Sequence, residues 1–120
     1  MKAITFHKEY KIATEKVLDP VILDSRDVIV KVKFAALCGS DLHVYRWHEK
    51  GLDPGTVMGH EFVGEVVELG KDVRHINKGD WVVAPFTTNC GKCYYCKIGL
   101  SCRCEQGQLF GWVSEGKGLQ

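Results

Sequence analysis

Five of the six cysteines lie close together near the C-terminal end, and their spacing limits what that part of the chain can fold into. Cys90, Cys93 and Cys96 follow the pattern C-x2-C-x2-C, and Cys102 and Cys104 come shortly afterwards. Two-residue spacing lets successive thiolates converge on one ion, and zinc takes four such ligands in a tetrahedron. Because structural zinc binds small peptides with about 10–16 kcal/mol, it could order a segment that has almost no apolar core. The pattern therefore predicts a structural zinc site.

Three other uses of these cysteines are weaker. A disulfide framework would leave an odd cysteine and requires an oxidising compartment. An iron–sulfur cluster shares the C-x2-C-x2-C spacing, but the bacterial pattern continues with x3-C-P, which is missing here. A redox pair usually accompanies a βαβ pattern, which the sequence does not show. The fourth zinc ligand stays open between Cys102 and Cys104, because Gly99 frees the chain before both.

A zinc ribbon that binds nucleic acid is the sharper rival. The cysteine segment carries cations and aromatic rings: Lys92, Lys97, Arg103, Tyr94 and Tyr95. However, a zinc ion held by four thiolates has a net negative charge, which these three cations do little more than offset. The formal net charge of the whole chain is only +1, so there is no global basic field either. We therefore expect no nucleic-acid partner.

Strand signals dominate the chain before the cysteines. Residues 27–37 alternate between apolar and mostly polar side chains, which predicts a strand with one face on a core. The predicted core face carries Val28, Val30, Val32 and Phe34. Further strands are predicted over residues 2–7, 61–69 and 81–86.

Glycine and proline refine these strands. Gly64, inside the third predicted strand, indicates a bulge or a close backbone approach. Gly79 and Asp80 predict a turn, and Pro85 predicts that the last strand ends or lies at an edge nearby. From Thr87 onward the alternation stops and the chain becomes a loop-rich lobe that contains the cysteines. The expected fold is a single, mainly β, barrel-like domain with this excursion near its C-terminal end.

A second group of metal-binding residue types lies upstream of the lobe. Cys38 and His60 lie at the ends of two predicted strands, which is more typical of an open catalytic site than of a closed structural one. A short helix is predicted over residues 42–47, capped by Ser40 or Asp41. From residue types alone, Cys38 could equally be a small buried side chain and His60 a core histidine.

The remaining composition is that of a globular protein outside the membrane. Hydrophobic residues make up 45% and charged residues 26%, and no apolar run reaches the length of a membrane helix. The N-terminus carries charges where a signal peptide needs an apolar core, so the expected location is cytoplasmic. Four aromatic or imidazole side chains are candidates for a pocket, although scattered aromatics more often belong to the core. These are Trp47, His48, Phe86 and Trp112.

Four motifs resemble the zinc-containing medium-chain alcohol dehydrogenases, at the N-terminal catalytic domain of that family. They are CGSDLH at 38–43, PGTVMGHEFVGEVVELG at 54–70, GDWVV at 79–83 and CGKCYYCKIG at 90–99. The resemblance covers nearly the whole chain, and the motifs follow the family's order. It implies a GroES-like, partly open barrel with few short helices and a lobe held by zinc. It also implies that residues 1–120 form one catalytic domain, incomplete at its C-terminus and without the nucleotide-binding domain.

The resemblance also implies roles for individual residues. Cys38, His60 and Glu61 would surround a catalytic zinc, with Glu61 able to approach the metal in some states. Asp41 would orient His60, although a simple helix cap is an alternative. Ser40 would take the proton of the substrate alcohol. His43 would pass that proton to solvent, although an ordinary surface histidine is also possible.

The resemblance selects the structural zinc ligands as well. The family places seven residues between its third and last ligands, which makes Cys104 the ligand and leaves Cys102 spare. The implied set is Cys90, Cys93, Cys96 and Cys104.

The implied function is oxidation of an alcohol to an aldehyde or ketone by hydride transfer to NAD or NADP, with zinc as the Lewis acid. The sequence has no G-x-G-x-x-G fingerprint, so we expect the 120-residue chain alone to bind zinc without catalysis. The alternative is a zinc-stabilised binding or assembly module that has lost catalysis. The expected partners are a small alcohol or carbonyl compound and, as a possibility, further copies of the chain, with no membrane. The substrate, the choice of NAD or NADP and the oligomeric state are not readable from the sequence.

Overall fold

The computed structural model describes residues 1–112 and is built mainly from strands. One antiparallel sheet pairs β1 (Lys2–Lys8) with β2 (Lys11–Lys16). A second antiparallel sheet has the order β3 (Val28–Ala35), β4 (Phe62–Leu69) and β5 (Trp81–Ala84). The helices are α1 (Gly39–Tyr45), α2 (Tyr94–Lys97) and a 3-10 turn at Ser101–Arg103. The sheets do not close on each other within this part of the chain, which confirms the mainly β, partly open architecture.

Strand β1 joins the hairpin to the segment that leads to His60. The Phe6 N–H donates to the Thr56 carbonyl at 2.9 Å, and the Met58 N–H donates to the Ile4 carbonyl at 2.9 Å. This segment therefore runs beside β1 as an added, strand-like edge. The backbone before His60 is fixed by hydrogen bonds rather than left as a free loop.

A small apolar core lies between the hairpin and α1. Phe6, Val44 and Leu52 are buried, and Trp47 stacks on Phe6 with ring centroids 5.7 Å apart. Met58 and Trp112 pack against the same cluster. Because the core includes Val44 of α1 and Trp47 and Leu52 of the segment that follows it, the core sets the position of the side chains that α1 presents.

The predicted core face of β3 is wrong for the second half of the strand. Val28 and Val30 are half-buried, but Val32 is 52% and Phe34 68% exposed. The pairing with β4 shifts register at two points along β3, between residues 29 and 30 and between residues 32 and 34. These irregularities interrupt the regular pairing on which a prediction from simple alternation depends.

Gly64 confirms the expected close approach between strands. A Cβ placed there would lie 2.5 Å from the Lys31 carbonyl oxygen, too close for any side chain. The turn at Gly79 is also confirmed, since its φ is +94° and the Asp80 N–H donates to Asn77. Strand β5 ends at Ala84, immediately before Pro85, as the missing proline N–H requires.

The start of α1 differs from the predicted cap. Cys38 occupies the N-cap position, and Ser40 and Asp41 lie within the first turn. The Asp41 side chain reaches back to accept the Cys38 N–H at 3.0 Å, so it caps from inside the helix. The helix ends at Tyr45, before Trp47 adopts a left-handed φ of +62°.

Strand β2 was not predicted, because its sequence KIATEK is mostly polar and the preceding turn lacks glycine. Tyr10 takes the left-handed turn position instead, with φ of +55°. Gly116 and Gly118, at the end of the predicted loop-rich lobe, lie outside the described residues. Within residues 1–112, every helix is too short to cross a bilayer.

Two candidate metal centres

The cysteine lobe brings four sulfur atoms together. The Sγ atoms of the set Cys90, Cys93, Cys96 and Cys104 lie within 4.8 Å of one another, and all four residues are half-buried. A zinc ion with Zn–S bonds near 2.3 Å needs sulfurs about 3.8 Å apart. The Sγ atoms of Cys93 and Cys104 are 4.0 Å apart, so this donor set fits zinc. The ligand roles themselves stay predictions.

Backbone N–H groups of the lobe point at the sulfurs. The Cys90 N–H donates to Cys104 Sγ at 3.2 Å, and the Cys93 N–H donates to Cys90 Sγ at 3.4 Å. The N–H groups of Lys92 and Cys93 lower the pKa of the Cys90 thiol to about 6. Loss of hydration raises the pKa of the Cys96 thiol to about 12. The backbone thus stabilises at least one thiolate before any ion binds.

Cys102 is not a member of this cluster. It is exposed and lies in the 3-10 turn, while Cys104 follows the turn and is half-buried. All six cysteines fall within the described part of the chain and none forms a disulfide. Gly99, with φ of +81°, provides the reversal between α2 and the turn. The geometry therefore favours Cys104 over Cys102 as the fourth ligand.

Cys38, His60 and Glu61 form the second cluster of donor atoms. One ligand atom from each lies within 4.8 Å of the others. Cys38 follows β3 as the N-cap of α1, and the other two immediately precede β4. The separated segments meet because β3 and β4 are paired, with Ala35 opposite Phe62. A thiolate, an imidazole and a carboxylate are all zinc ligands, so this set also fits zinc.

Residues of the first turn of α1 surround His60. Asp41 Oδ1 lies 3.4 Å from His60 Nδ1, and Ser40 Oγ lies 3.3 Å from His60 Nε2. Asp41 is almost fully buried, and the His60 side chain is only 14% exposed. The helix start therefore presents a carboxylate and a hydroxyl to the two ring nitrogens of one histidine.

His43 lies outside this inner group. It is exposed one turn after Ser40, and its ring lies 5.8 Å from the ring of His48. Neither histidine is among the described residues that line the cavity at the site. His48 is therefore not a pocket residue here, and the relay role of His43 stays a prediction.

A cavity of about 230 Å³ adjoins Ser40 and His60. Phe86 and Trp112 line it, as two of the four pocket candidates, whereas Trp47 stacks in the core. The apolar walls include Val44, Leu52, Met58, Phe86, Phe110 and Trp112. A mostly apolar cavity with a few polar lining residues is typical of a small-molecule site.

Sequence reasoning missed two features of this cavity. Glu49, in the loop after α1, lines it and gave no motif signal. Gly111 packs so closely on Gly59 that a Cβ would lie 2.8 Å from the Gly59 oxygen. Gly111 has a left-handed φ of +67°, a conformation that favours glycine, so a turn there could have been predicted from the sequence. Its contact with Gly59 could not have been predicted in this way.

The fold and the two donor clusters define a mainly β domain with two candidate zinc sites, and comparison with known proteins identifies its family. The sequence model of the alcohol dehydrogenase GroES-like domain matches residues 24–120. The chain belongs to this family.

Individual relatives show the same likeness. Zinc-type alcohol dehydrogenase B of Aspergillus flavus is 55% identical, over 92% of this chain and 26% of its own length. Alcohol dehydrogenase TADH from Thermus sp. ATN1 superposes with a TM-score of 0.91 at 38% identity, over 100% of this chain and 34% of its own. A short chain alcohol dehydrogenase (rspB) from E. coli CFT073, complexed with the cofactor NADH, superposes with a TM-score of 0.76 at 33% identity, over 98% of this chain and 34% of its own. The chain thus spans about a quarter to a third of these relatives.

Proposed function

We propose that the chain is the catalytic-domain portion of a zinc-dependent dehydrogenase that oxidises an alcohol to an aldehyde or ketone, with hydride transfer to NAD or NADP. The observation that carries the proposal is the meeting of Cys38, His60 and Glu61 donor atoms within 4.8 Å, next to the cavity. When bound there, zinc supplies Lewis acidity toward an alcohol or carbonyl oxygen. Family membership supports this assignment.

The chain's own residues position and deprotonate the substrate. Cys38 and His60 hold the metal, and Asp41 keeps the His60 ring in place from Nδ1. Ser40, whose hydroxyl lies beside His60, accepts the proton of the substrate hydroxyl and releases its own hydroxyl proton toward His43. His43 on the exposed side of α1 delivers the proton to solvent. The apolar walls of the cavity contact the carbon skeleton of the substrate.

The lobe centred on Cys90, Cys93, Cys96 and Cys104 serves structure rather than chemistry. Four protein ligands leave no open position for a substrate. The lobe also supports the cavity, since the Phe110 N–H donates to the Phe86 carbonyl at 3.1 Å and both rings line it. Metal in the lobe therefore helps to hold one wall of the site.

Cobalt substitution tests the proposal directly. The chain loaded with Co²⁺ in place of zinc is expected to bind two ions and to change its visible spectrum when an alcohol is added. Cys38→Ala should remove one ion and the response to alcohol, whereas Cys102→Ala, a matched cysteine change, should remove neither. A single bound ion that Cys38→Ala does not affect would contradict the proposal.

The alternative is a zinc-stabilised assembly module without catalysis, and one observation favours it. Phe34, Val63 and Val83 are paired across the three-stranded sheet, and Phe34 and Val83 are 68% and 74% exposed. An exposed apolar row of this kind is typical of a surface that meets another chain or domain. The module would bind one ion, in the lobe only, so the cobalt count separates the two functions.

We also propose that the 120-residue chain assayed alone does not reduce NAD or NADP, because its sequence carries no dinucleotide fingerprint. The assay follows nicotinamide reduction by the zinc-loaded chain with a panel of primary and secondary alcohols. Reduction that depends on both alcohol and zinc would show this part of the proposal to be wrong.

A further inference from the structure

The lining of the cavity includes a glutamate, Glu49, that the proposed metal site does not use. Asp41 and His60 face each other at its polar end. Glu49 also lines the cavity, and its backbone N–H donates to the His43 carbonyl at 3.2 Å, which ties this loop to α1. Within residues 1–112, the Glu49 side chain has no ion-pair partner.

Within residues 1–112, the lining of the cavity is poor in cationic side chains. No lysine or arginine contributes to the lining in the described part of the chain. Glu49 is solvent-exposed on one side and next to apolar walls on the other. A positively charged group on a ligand could therefore form a charge-assisted hydrogen bond with the Glu49 carboxylate. No lysine or arginine of the described lining would have to lose its hydration for this bond to form.

We propose that Glu49 is a specificity-determining residue that selects alcohols carrying a protonated amine. The proposal rests on the proposed function, because it places the hydroxyl of such a compound at the Ser40 and His60 end of the cavity. The ammonium group then lies toward Glu49 while the carbon skeleton contacts the apolar walls.

The same charge acts against a second class of compounds. A carboxylate on the ligand would be repelled by Glu49 and would find no lysine or arginine among the described lining residues, so it would compete with the ligand's own hydroxyl for the metal. The preferred class is therefore amino alcohols without a carboxyl group, in contrast to hydroxy acids and hydroxy amino acids.

Four small probes separate these contributions. The compound 1-amino-2-propanol carries an ammonium where 2-butanol carries a methyl group and propane-1,2-diol a hydroxyl, and L-threonine adds a carboxylate to it. Dissociation constants are measured for the zinc-loaded 120-residue chain from amide NMR shifts, with residues such as Val44 and Leu52 reporting the cavity. The variant is Glu49→Gln, which keeps the shape and removes the charge. The control is Glu68→Gln, an exposed glutamate on β4 that does not line the cavity.

The amino alcohol is expected to bind about fivefold more tightly than 2-butanol, which is the size expected of a partly exposed ion pair. The difference should shrink as salt is added and vanish in Glu49→Gln, but persist in Glu68→Gln. L-threonine should bind more weakly than the amino alcohol in the wild type.

Distinct results would overturn the proposal. A preference that survives in Glu49→Gln would mean that the amine contacts the metal instead. Equal binding of the diol and the amino alcohol would rule out recognition of charge. In both cases 2-butanol still binds at the cavity, so the proposed function stands, whereas failure of every alcohol to shift these amides would contradict both.

Discussion

A single carboxylate, that of Asp41, holds both His60 and the backbone of Cys38. Its Oδ1 lies 3.4 Å from His60 Nδ1, and its Oδ2 accepts the Cys38 N–H at 3.0 Å. Two of the proposed catalytic-zinc ligands are therefore aligned by one almost fully buried side chain. Helix capping and ligand positioning are the same interaction here, so they cannot be altered independently by removing Asp41.

Asp41→Ala is expected to weaken metal binding at Cys38 and His60 by about 10- to 100-fold. The free energy of unfolding should also fall by about 0.5–2 kcal/mol, since the Cys38 N–H loses its partner. Asp41→Asn should keep most of that stability because the amide oxygen still accepts the N–H. Chelator competition measures the first effect and urea denaturation the second. Unchanged metal affinity in Asp41→Ala would show that Asp41 only caps the helix.

The two neighbouring cysteines of the lobe should behave differently. Cys104→Ala is expected to abolish tight zinc binding in the lobe, because its Sγ lies in the four-sulfur cluster and accepts the Cys90 N–H. Cys102→Ala should change the free energy of unfolding by no more than about 0.5 kcal/mol, since Cys102 is exposed. Zinc per chain is measured by plasma mass spectrometry after dialysis. Loss of the ion in Cys102→Ala alone would reverse the ligand choice.

Gly111→Ala tests the contact that closes the cavity. The added Cβ would lie 2.8 Å from the Gly59 oxygen at a backbone φ of +67°, so steric and conformational costs add. We expect a loss of about 3 kcal/mol or more in the free energy of unfolding. The matched control is Gly55→Ala, with φ of +89° and open space around it, which should cost only about 1–2 kcal/mol. Equal losses in urea denaturation would show that the Gly59 contact is easily relieved.

Acid should weaken the turn before β3. The Arg26 guanidinium, followed by the Arg26 N–H, holds the pKa of Asp24 at about 2, below its ordinary value of 3.8. Because the pKa is lower in the folded state, this pairing stabilises the fold above about pH 4 and is lost as the pH falls toward 2. The effect is small and sensitive to salt, since both side chains are at least half exposed.

The measurement for this pair is the melting temperature of the wild type minus that of Asp24→Asn, across pH 2 to 7. The difference should be constant near neutral pH and disappear toward pH 2. Asp53→Asn, a change in an exposed loop, serves as the control. A difference that grows on acidification would contradict the assigned direction of the pKa shift.

Sequence patterns predicted the elements that depend on local chemistry. Each of these elements depends on a property of a single residue. Glycine supplies backbone freedom at Gly79 and the absence of a Cβ at Gly64, and Pro85 lacks the N–H donor that would continue strand β5. Alternation in residues 27–37 located β3 but assigned Phe34 to the core, because the irregular pairing with β4 is a property of two strands. Strand β2 was not predicted for a related reason. Its sequence is mostly polar, and its hydrogen bonds to β1 stabilise it rather than the burial of its own side chains.

The sequence by itself predicted three ligands of the cysteine lobe, Cys90, Cys93 and Cys96, because cysteines separated by two residues can converge on one ion through local backbone turns alone. The tertiary structure decided that Cys104 rather than Cys102 joins that cluster, that Cys38 meets His60, and that Glu49 lines the cavity. These relationships join segments distant in the chain, and strand pairing and core packing around Phe6 set the distances between them. Spacing along the chain carries no information about such distances until the hydrogen-bonded register is fixed.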